Sequence, residues 1–318
     1  MSIRAEFVRL GLRWFLKPTN RPDVTITRRR EQIGNFQRWV PAPPDEVAVA
    51  RGEIGGVPAL FVATPRSRPD RHVVFLHGGG YVTGSPELYV HLLWRVAAAA
   101  AARVAAIRYR LAPEHPFPAA LDDALAAWRG LLEAGADPRR AALLGDSAGG
   151  GLALALALRA RDEGMALPTA IVAMSPWTDL AVTGGSVRRN ARADPMLNAD
   201  DVPHLAARYL AGADPRHPYA SPLYGDPAGL PPTLIQVGGD EILLDDSVRM
   251  VARMRDAGVA ARLEIWPRMP HVFQSFSSLL PEARSAIGRI GAFIRQHASA
   301  PDGEAAGNGC GCAPGRSR

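Results

Sequence analysis

Ser147 stands in the run LLGDSAGGGLALALAL, residues 143–158, between an aspartate and an alanine and inside a cluster of glycines. The spacing G-x-S-x-G suits a strand that turns sharply into a helix, because small residues two positions to either side let the two backbones approach. Such a turn presents the hydroxyl at the end of a sheet, with the unpaired N–H groups of the helix start favouring nearby negative charge. Alone the pattern is weak, since a glycine-rich turn also serves packing or phosphate binding. The chemistry it would support is attack on an acyl carbon, which needs donors for an oxyanion and a base. Donors are offered by FLHGGGYVTGS, residues 75–85, where three glycines leave backbone N–H groups unshielded; the N–H of Ala148 would add a further one. The competing phosphate-cradle reading lacks the Walker spacing. Among eight histidines, His271 in PRMPHVFQ lies in a loop after the last predicted strand and is the best placed base. Between serine and histidine, VGGDEILLDDS offers Asp240, Glu241, Asp245 and Asp246. The order serine, acid, histidine is neither that of chymotrypsin nor that of subtilisin.

These segments must be brought together, and the chain alternates β-branched runs with helical stretches in the manner of a mostly parallel sheet covered on both faces. Strands are predicted at 46–51, 57–63, 72–76, 103–108, 140–144, 169–174, 233–237 and 261–266. Helices are predicted at 88–101, 119–134, 148–162, 245–257 and 281–297. The alternation in LALALALRA imitates a strand, but alanine and leucine are both apolar and strong helix formers, so a helix buried nearly all round is expected. Residues 41–297 form the α/β domain on this reading. Residues 1–40 read as two helices, whose Ile3, Phe7, Leu10 and Trp14 recur at helical spacing; the stripe could lie on a membrane, but being short and without a dense basic face it is expected to pack on the rest of the protein. Residues 180–225 interrupt the strand series where a cap insertion fits, with a helix near 200–211. The glycine-rich, polar stretch 298–318 is expected to be disordered.

Composition narrows the function. With 318 residues, 47% hydrophobic and 21% charged, the chain is that of a globular protein. No apolar run is long enough to span a membrane, and Arg4, Glu6, Arg9, Arg13 and Lys17 break any signal-peptide core, so a cytoplasmic protein without stable membrane insertion is expected. The net charge of +6 invites a nucleic-acid partner, yet the basic residues are scattered and Lys17 is the only lysine. A solvated basic exterior and no nucleic acid are the expectation. Cys310 and Cys312 make a lone C-x-C, too little for a disulfide framework or a metal site.

The blocks HGGGYVTGS, YRLAPEHPFPAALDDALAAW (109–128), LGDSAGGGLA, SPWTDL (175–180), EILLDD and PHVF occur in this order. Together they resemble the bacterial hormone-sensitive-lipase-like carboxylesterases, over about residues 45–297. The resemblance implies an α/β-hydrolase fold, an eight-stranded sheet and a helical cap, hydrolysis of a small carboxylic ester, no cofactor or metal, and a homodimer among the assemblies to expect. It also implies that Gly79 and Gly80, with Ala148, donate to the oxyanion, that Gly78 mainly lets the loop turn, and that Arg110 and Glu114 are structural. For the acid, the family's usual aspartate favours Asp240, whereas its D-P-L-x-D spacing favours Glu241, four residues before Asp245. Adjacent side chains on an extended segment point opposite ways, so only one can face His271; Glu241 is chosen. Asp245 and Asp246 read as helix-capping carboxylates. A cap packed with Phe7, Trp14 and Phe15 suggests short or medium acyl chains. A lactone hydrolase with the same residues, or a non-catalytic receptor on the same fold, remains the alternative; the presence of His271 favours the enzyme.

Overall fold

Eight strands pair into one sheet in the order β1-β2-β4-β3-β5-β6-β7-β8 in the computed structural model, which describes residues 2–36, 38 and 40–298. They are β1 (Ala48–Ile54), β2 (Val57–Ala63), β3 (Arg68–Leu76), β4 (Ala102–Ile107), β5 (Ala141–Asp146), β6 (Ala170–Met174), β7 (Thr233–Gly238) and β8 (Ala261–Trp266). β2 runs antiparallel to β1 and β4, and all later pairings are parallel. All eight predicted strands are present, with ends displaced by at most four residues. Every residue of β5, β6 and β7 is buried, which is why β6 and the start of β5 read as unbroken apolar runs; Gln236, which interrupts β7, donates to Glu264 and to the Ala286 carbonyl.

Alternate side chains of β3 feed two core layers. Val74 and Leu76 pack with α4 (Ala119–Glu133), α5 (Ala148–Asp162) and α8 (Leu244–Asp256), while Val73 and Phe75 pack with α3 (Val90–Ala100) and α9 (Pro281–His297). Twelve of the fifteen residues of α5 are buried, so its alanine–leucine alternation fills a helix with no solvent face. The parallel strands end level with one another, Leu76 opposite Gly145 and Asp146 opposite Met174. Loops leaving those carboxyl ends therefore converge on one crevice.

Two segments lie outside the sheet and its helices. The first holds α1 (Ile3–Gly11), a π turn over Leu12–Leu16, and α2 (Ile26–Phe36); the second, between β6 and β7, holds α6 (Ser186–Arg189) and α7 (Val202–Leu210). They are tied together by polar contacts. Lys17 Nζ donates to the carbonyls of Ala191 and Asp194 at 2.8 and 2.6 Å, Arg13 to that of Arg192 at 2.9 Å, and Asn20 Nδ2 to that of Met196 at 2.9 Å. Arg29 and Asp201, both almost fully buried, pair through two bonds of 2.6 and 3.0 Å. Arg30 reaches down to the carbonyls of Val82 and Ala112 and to Glu114.

The N-terminal stripe corrects the sequence reading. Ile3, Phe7, Leu10 and Trp14 are 79, 70, 52 and 73% exposed, and it is Ala5 and Leu12 that are buried. At 100° per residue the two sets lie on opposite sides of the helix. The small Ala5 lets α1 sit close to Ala283 and Ala286 of α9, an approach the larger stripe would prevent. Meanwhile Arg9 adds an ion pair to Asp240 at 2.6 Å on the inner side. No helix among the described residues is long and apolar enough to cross a membrane. Of the tail expected over 298–318, only Ala298 falls within the described residues; Cys310 and Cys312 lie outside them.

Candidate active site

β5 delivers Ser147 to the crevice in a backbone conformation that side chains rarely adopt, φ +53° and ψ −122°. Such a conformation costs about 1–3 kcal/mol and persists where the surroundings over-determine it. Here they do: the Ser147 N–H donates to Met174 O at 2.8 Å, and its carbonyl accepts from Gly151 and Trp177 at 3.1 and 2.9 Å. The flanking glycines are sterically required, since a Cβ on Gly145 would sit 2.1 Å from Gly149 O and one on Gly149 would sit 2.0 Å from Leu76 O.

From that turn a line of hydrogen bonds runs inward. Ser147 Oγ lies 2.8 Å from His271 Nε2, and His271 Nδ1 lies 2.7 Å from Glu241 Oε2. A proton on Nδ1 facing the carboxylate leaves Nε2 free to accept from the serine hydroxyl. Burial works against charge on His271, but attraction to Glu241, their hydrogen bond and the nearby Asp194 and Asp146 outweigh it and raise its pKa. The two carboxylates left open by the sequence part company. Glu241 is fully buried, and its Oε1 also accepts from Ser175 Oγ at 2.6 Å and Gly238 N–H at 2.5 Å. Asp240 faces away to Arg9.

Asp245 and Asp246 do not cap α8, as the sequence suggested; neither side chain caps its N–H groups. Asp245 accepts from Ser186 N–H and Arg189, and Asp246 from the N–H groups of Thr178 and Asp179 at 2.8 and 2.9 Å. Both carboxylates are used to fasten the chain that follows β6. Asp246 is buried, which lifts its pKa to about 8.

The glycine loop after β3 is braced from below. Gly78 N–H donates to Asp146 Oδ1 at 2.9 Å, and Tyr89 OH donates to Oδ2 at 3.0 Å. His77 stacks on Tyr109, with ring centroids 4.2 Å apart, and its Nδ1 lies 2.8 Å from Gly78 O. Burial drops the His77 pKa to about 4, so the ring is neutral and serves as a prop. The N–H groups of Gly79, Gly80 and Ala148 meet no protein acceptor among the described residues.

Four contributors escaped the sequence reading. Ser175, φ +50°, bonds Glu241 and also accepts from Val272 N–H at 3.1 Å, tying the acid to the histidine loop. Asp146 was legible only as the unspecified x of G-x-S-x-G. Asp194, buried and raised in pKa by that burial, accepts from Ile242 N–H, while Asn190 donates to Glu241 O, so the insertion grips the acid's own backbone. The serine of SPWTDL was the one available signal among these, and it carried no role on sequence grounds.

Above the line lies a cavity of about 680 Å³ with mostly apolar walls. Ser147, His271, Gly79 and Gly80 form part of its floor; Phe7, Leu12, Phe15 and Ile33 come from the N-terminal segment, and Met196, Leu197 and Leu205 from the insertion. Trp14, expected in this wall, is not among the lining residues.

A family profile described as alpha/beta hydrolase fold matches residues 73–275. The chain is 44% identical over 272 residues to an acetyl-hydrolase of Streptomyces hygroscopicus, covering 86% of this chain and 88% of that protein. It is 37% identical over 233 residues to an ethyl acetate hydrolase of Pseudomonas putida, covering 71 and 73%. Among solved structures, an esterase from the bacterial hormone-sensitive lipase family aligns with a TM-score of 0.90 at 44% identity, over 94% of this chain and 99% of that one.

Proposed function

This chain belongs to the α/β-hydrolase family, among its hormone-sensitive-lipase-like esterases, and on that premise we propose that it cleaves short- to medium-chain carboxylic esters with Ser147, His271 and Glu241. It is a carboxylic-ester hydrolase. The observation that carries the finer reading is the unbroken line from Ser147 Oγ through His271 to Glu241, opening into an apolar cavity.

Ser147 Oγ attacks the ester carbonyl as His271 Nε2 takes its proton. The oxyanion that forms is received by the N–H groups of Gly79, Gly80 and Ala148, which have no competing acceptor among the described residues. Glu241 holds the imidazole in the useful tautomer and stabilises its charged form. His271 then gives the proton to the departing alcohol, and water cleaves the acyl-enzyme by the same route in reverse. Residues 1–40 and 180–225 act as a cap that walls the cavity. Its volume, about 680 Å³, lies within the range of small-molecule sites and accommodates chains longer than acetyl.

Initial rates on aryl esters of increasing acyl length, beside a lactone and an amide, test the reading. Turnover is expected from acetate through the medium chains, falling beyond them, with the lactone and amide slower. Faster lactone opening would make the protein a lactonase, and binding of the esters without turnover would make it a receptor.

A further inference from the structure

Nine large apolar side chains among the described residues are exposed by more than a third, and five of them fall within residues 3–15. Apolar residues scattered singly over a surface are ordinary, but a contiguous patch marks an interaction site. Ile3, Phe7 and Leu10 fall within about 60° of arc on α1, with Trp14 following on the π turn. The opposite side is buried through Ala5 and Leu12, so the helix is already docked and its apolar face is turned outward.

Two features indicate what that face meets. The first is its continuity with the cavity: Phe7 and Phe15 line it and are 70 and 74% exposed, and Leu279, 56% exposed, also lines it. The patch is therefore the rim of the mouth. A second copy of the chain seated there would seal the entrance, whereas a lipid surface would feed it, since an ester could pass from an acyl layer into the cavity without crossing bulk water. The second feature is charge. Arg4 and Arg13 are exposed at the flanks of the stripe, and Arg192, whose carbonyl Arg13 binds, is exposed beside them. None of the three pairs with a carboxylate among the described residues. An apolar face edged with unneutralised cations fits an anionic lipid surface.

We propose that this face docks the protein on an anionic lipid surface, with Ile3, Leu10 and Trp14 entering the boundary between headgroups and acyl chains and the cavity mouth opening onto it. The use made of the docked state rests on the esterase reading above; the docking itself does not.

The test uses the full chain and vesicles of dialkyl phosphatidylcholine and dialkyl phosphatidylglycerol, about three parts to one, whose ether lipids cannot be hydrolysed. The protein is expected to pellet with them and to shift its tryptophan emission to the blue. Pelleting should weaken on phosphatidylcholine alone and at about 0.5 M salt. The combined Ile3→Ser, Leu10→Ser, Trp14→Ser variant replaces exposed residues that do not line the cavity. Its partitioning should fall about a hundredfold or more, with hydrolysis of a soluble aryl acetate unchanged. Trp14→Phe should pellet like the parent and lose the blue shift. Protein left in the supernatant with anionic vesicles would overturn the proposal, as would pelleting undiminished in the triple variant. A parent dimer that the triple variant dissolves, without vesicle binding, would assign the face to a second copy instead. A parent protein that pellets but does not turn over the soluble ester would count against the esterase reading alone.

Discussion

At the floor of the cavity Glu241, Ser175 and His271 are joined by bonds of 2.6 and 2.7 Å between buried side chains, whereas at its roof Lys17, Arg13 and Asn20 reach carbonyls of residues 191–196 from partly or largely exposed positions. The floor is set by adjacent parallel strands, whose ends are level because the backbone ladder makes them so. The roof is set by single side chains crossing between segments far apart in sequence, with Arg29 on Asp201 as its one buried ion pair among the described residues. A buried network in which each atom satisfies another cannot lose a member without leaving a partner unpaired. Charged side chains on carbonyl acceptors can release and re-form in water at little cost. On the proposed mechanism the floor carries the chemistry and the roof the selection, and each of the following substitutions can break that division.

The largest effect is expected at Ser147→Ala, which should cut turnover by about 10⁴-fold or more with an unchanged melting temperature. A variant still turning over an activated ester at the parent rate would remove the serine from the mechanism. Next comes Glu241→Gln, for which kcat should fall by about 10²- to 10⁴-fold. Its pH dependence carries a sign. His271 must be neutral to take the serine proton, and its raised pKa places the acid limb of the rate profile above the ordinary histidine value. Without Glu241 its two contributions, the largest that raise the His271 pKa, are lost and the limb should move to lower pH. Asp240→Asn, which loses only the pairing with Arg9, should stay within about threefold of the parent; the reverse ranking would transfer the acid's role to Asp240.

Ser175→Ala should lower kcat by about tenfold at unchanged KM and cost about 1–3 kcal/mol of stability, because it strips a partner from both Glu241 and the Val272 N–H. A fall in stability without any fall in kcat would make Ser175 a packing residue only. An effect on turnover as small as that of Asp240→Asn is expected in the roof. Arg29→Met leaves Asp201 buried and unpaired, costing about 3 kcal/mol, yet acetate turnover should remain within about threefold while KM for longer esters changes. Acetate turnover falling as far as in Glu241→Gln would erase the distinction between the two regions.

The same contrast explains how much was legible in the sequence. Strands buried on both faces write themselves as apolar runs, and the turns at their ends need small residues at fixed spacing, so the sheet, Ser147, His271 and the glycine loop could be read locally. The choice between Asp240 and Glu241 rested on spacing by resemblance, and the direction of each side chain comes from the turn after β7. The outward stripe of α1 was misread because apolar periodicity says that a helix has an apolar face without saying what lies against it; Ala5, a residue with little apolar signal, decided the docking. Ser175, Asp194 and Asn190 were not legible because their roles exist only through partners 48–97 positions away. Asp245 and Asp246 show the converse: a local rule, carboxylates at a helix start, was satisfied in sequence and overridden by distant backbone donors.

Lys17 leaves one further consequence. It is the only lysine in the chain, and partial burial with Arg13 nearby holds its amine below the ordinary lysine pKa, against the pull of Asp194. Toward amine-directed reagents the protein thus has one side-chain handle beside its α-amino group, and the handle is the fastening between the N-terminal segment and the insertion. A fluorophore coupled there would report on that joint from a single known position. Immobilisation through amines would, by the same token, grip the molecule away from Ser147 and His271 while prising open the contact that closes over them.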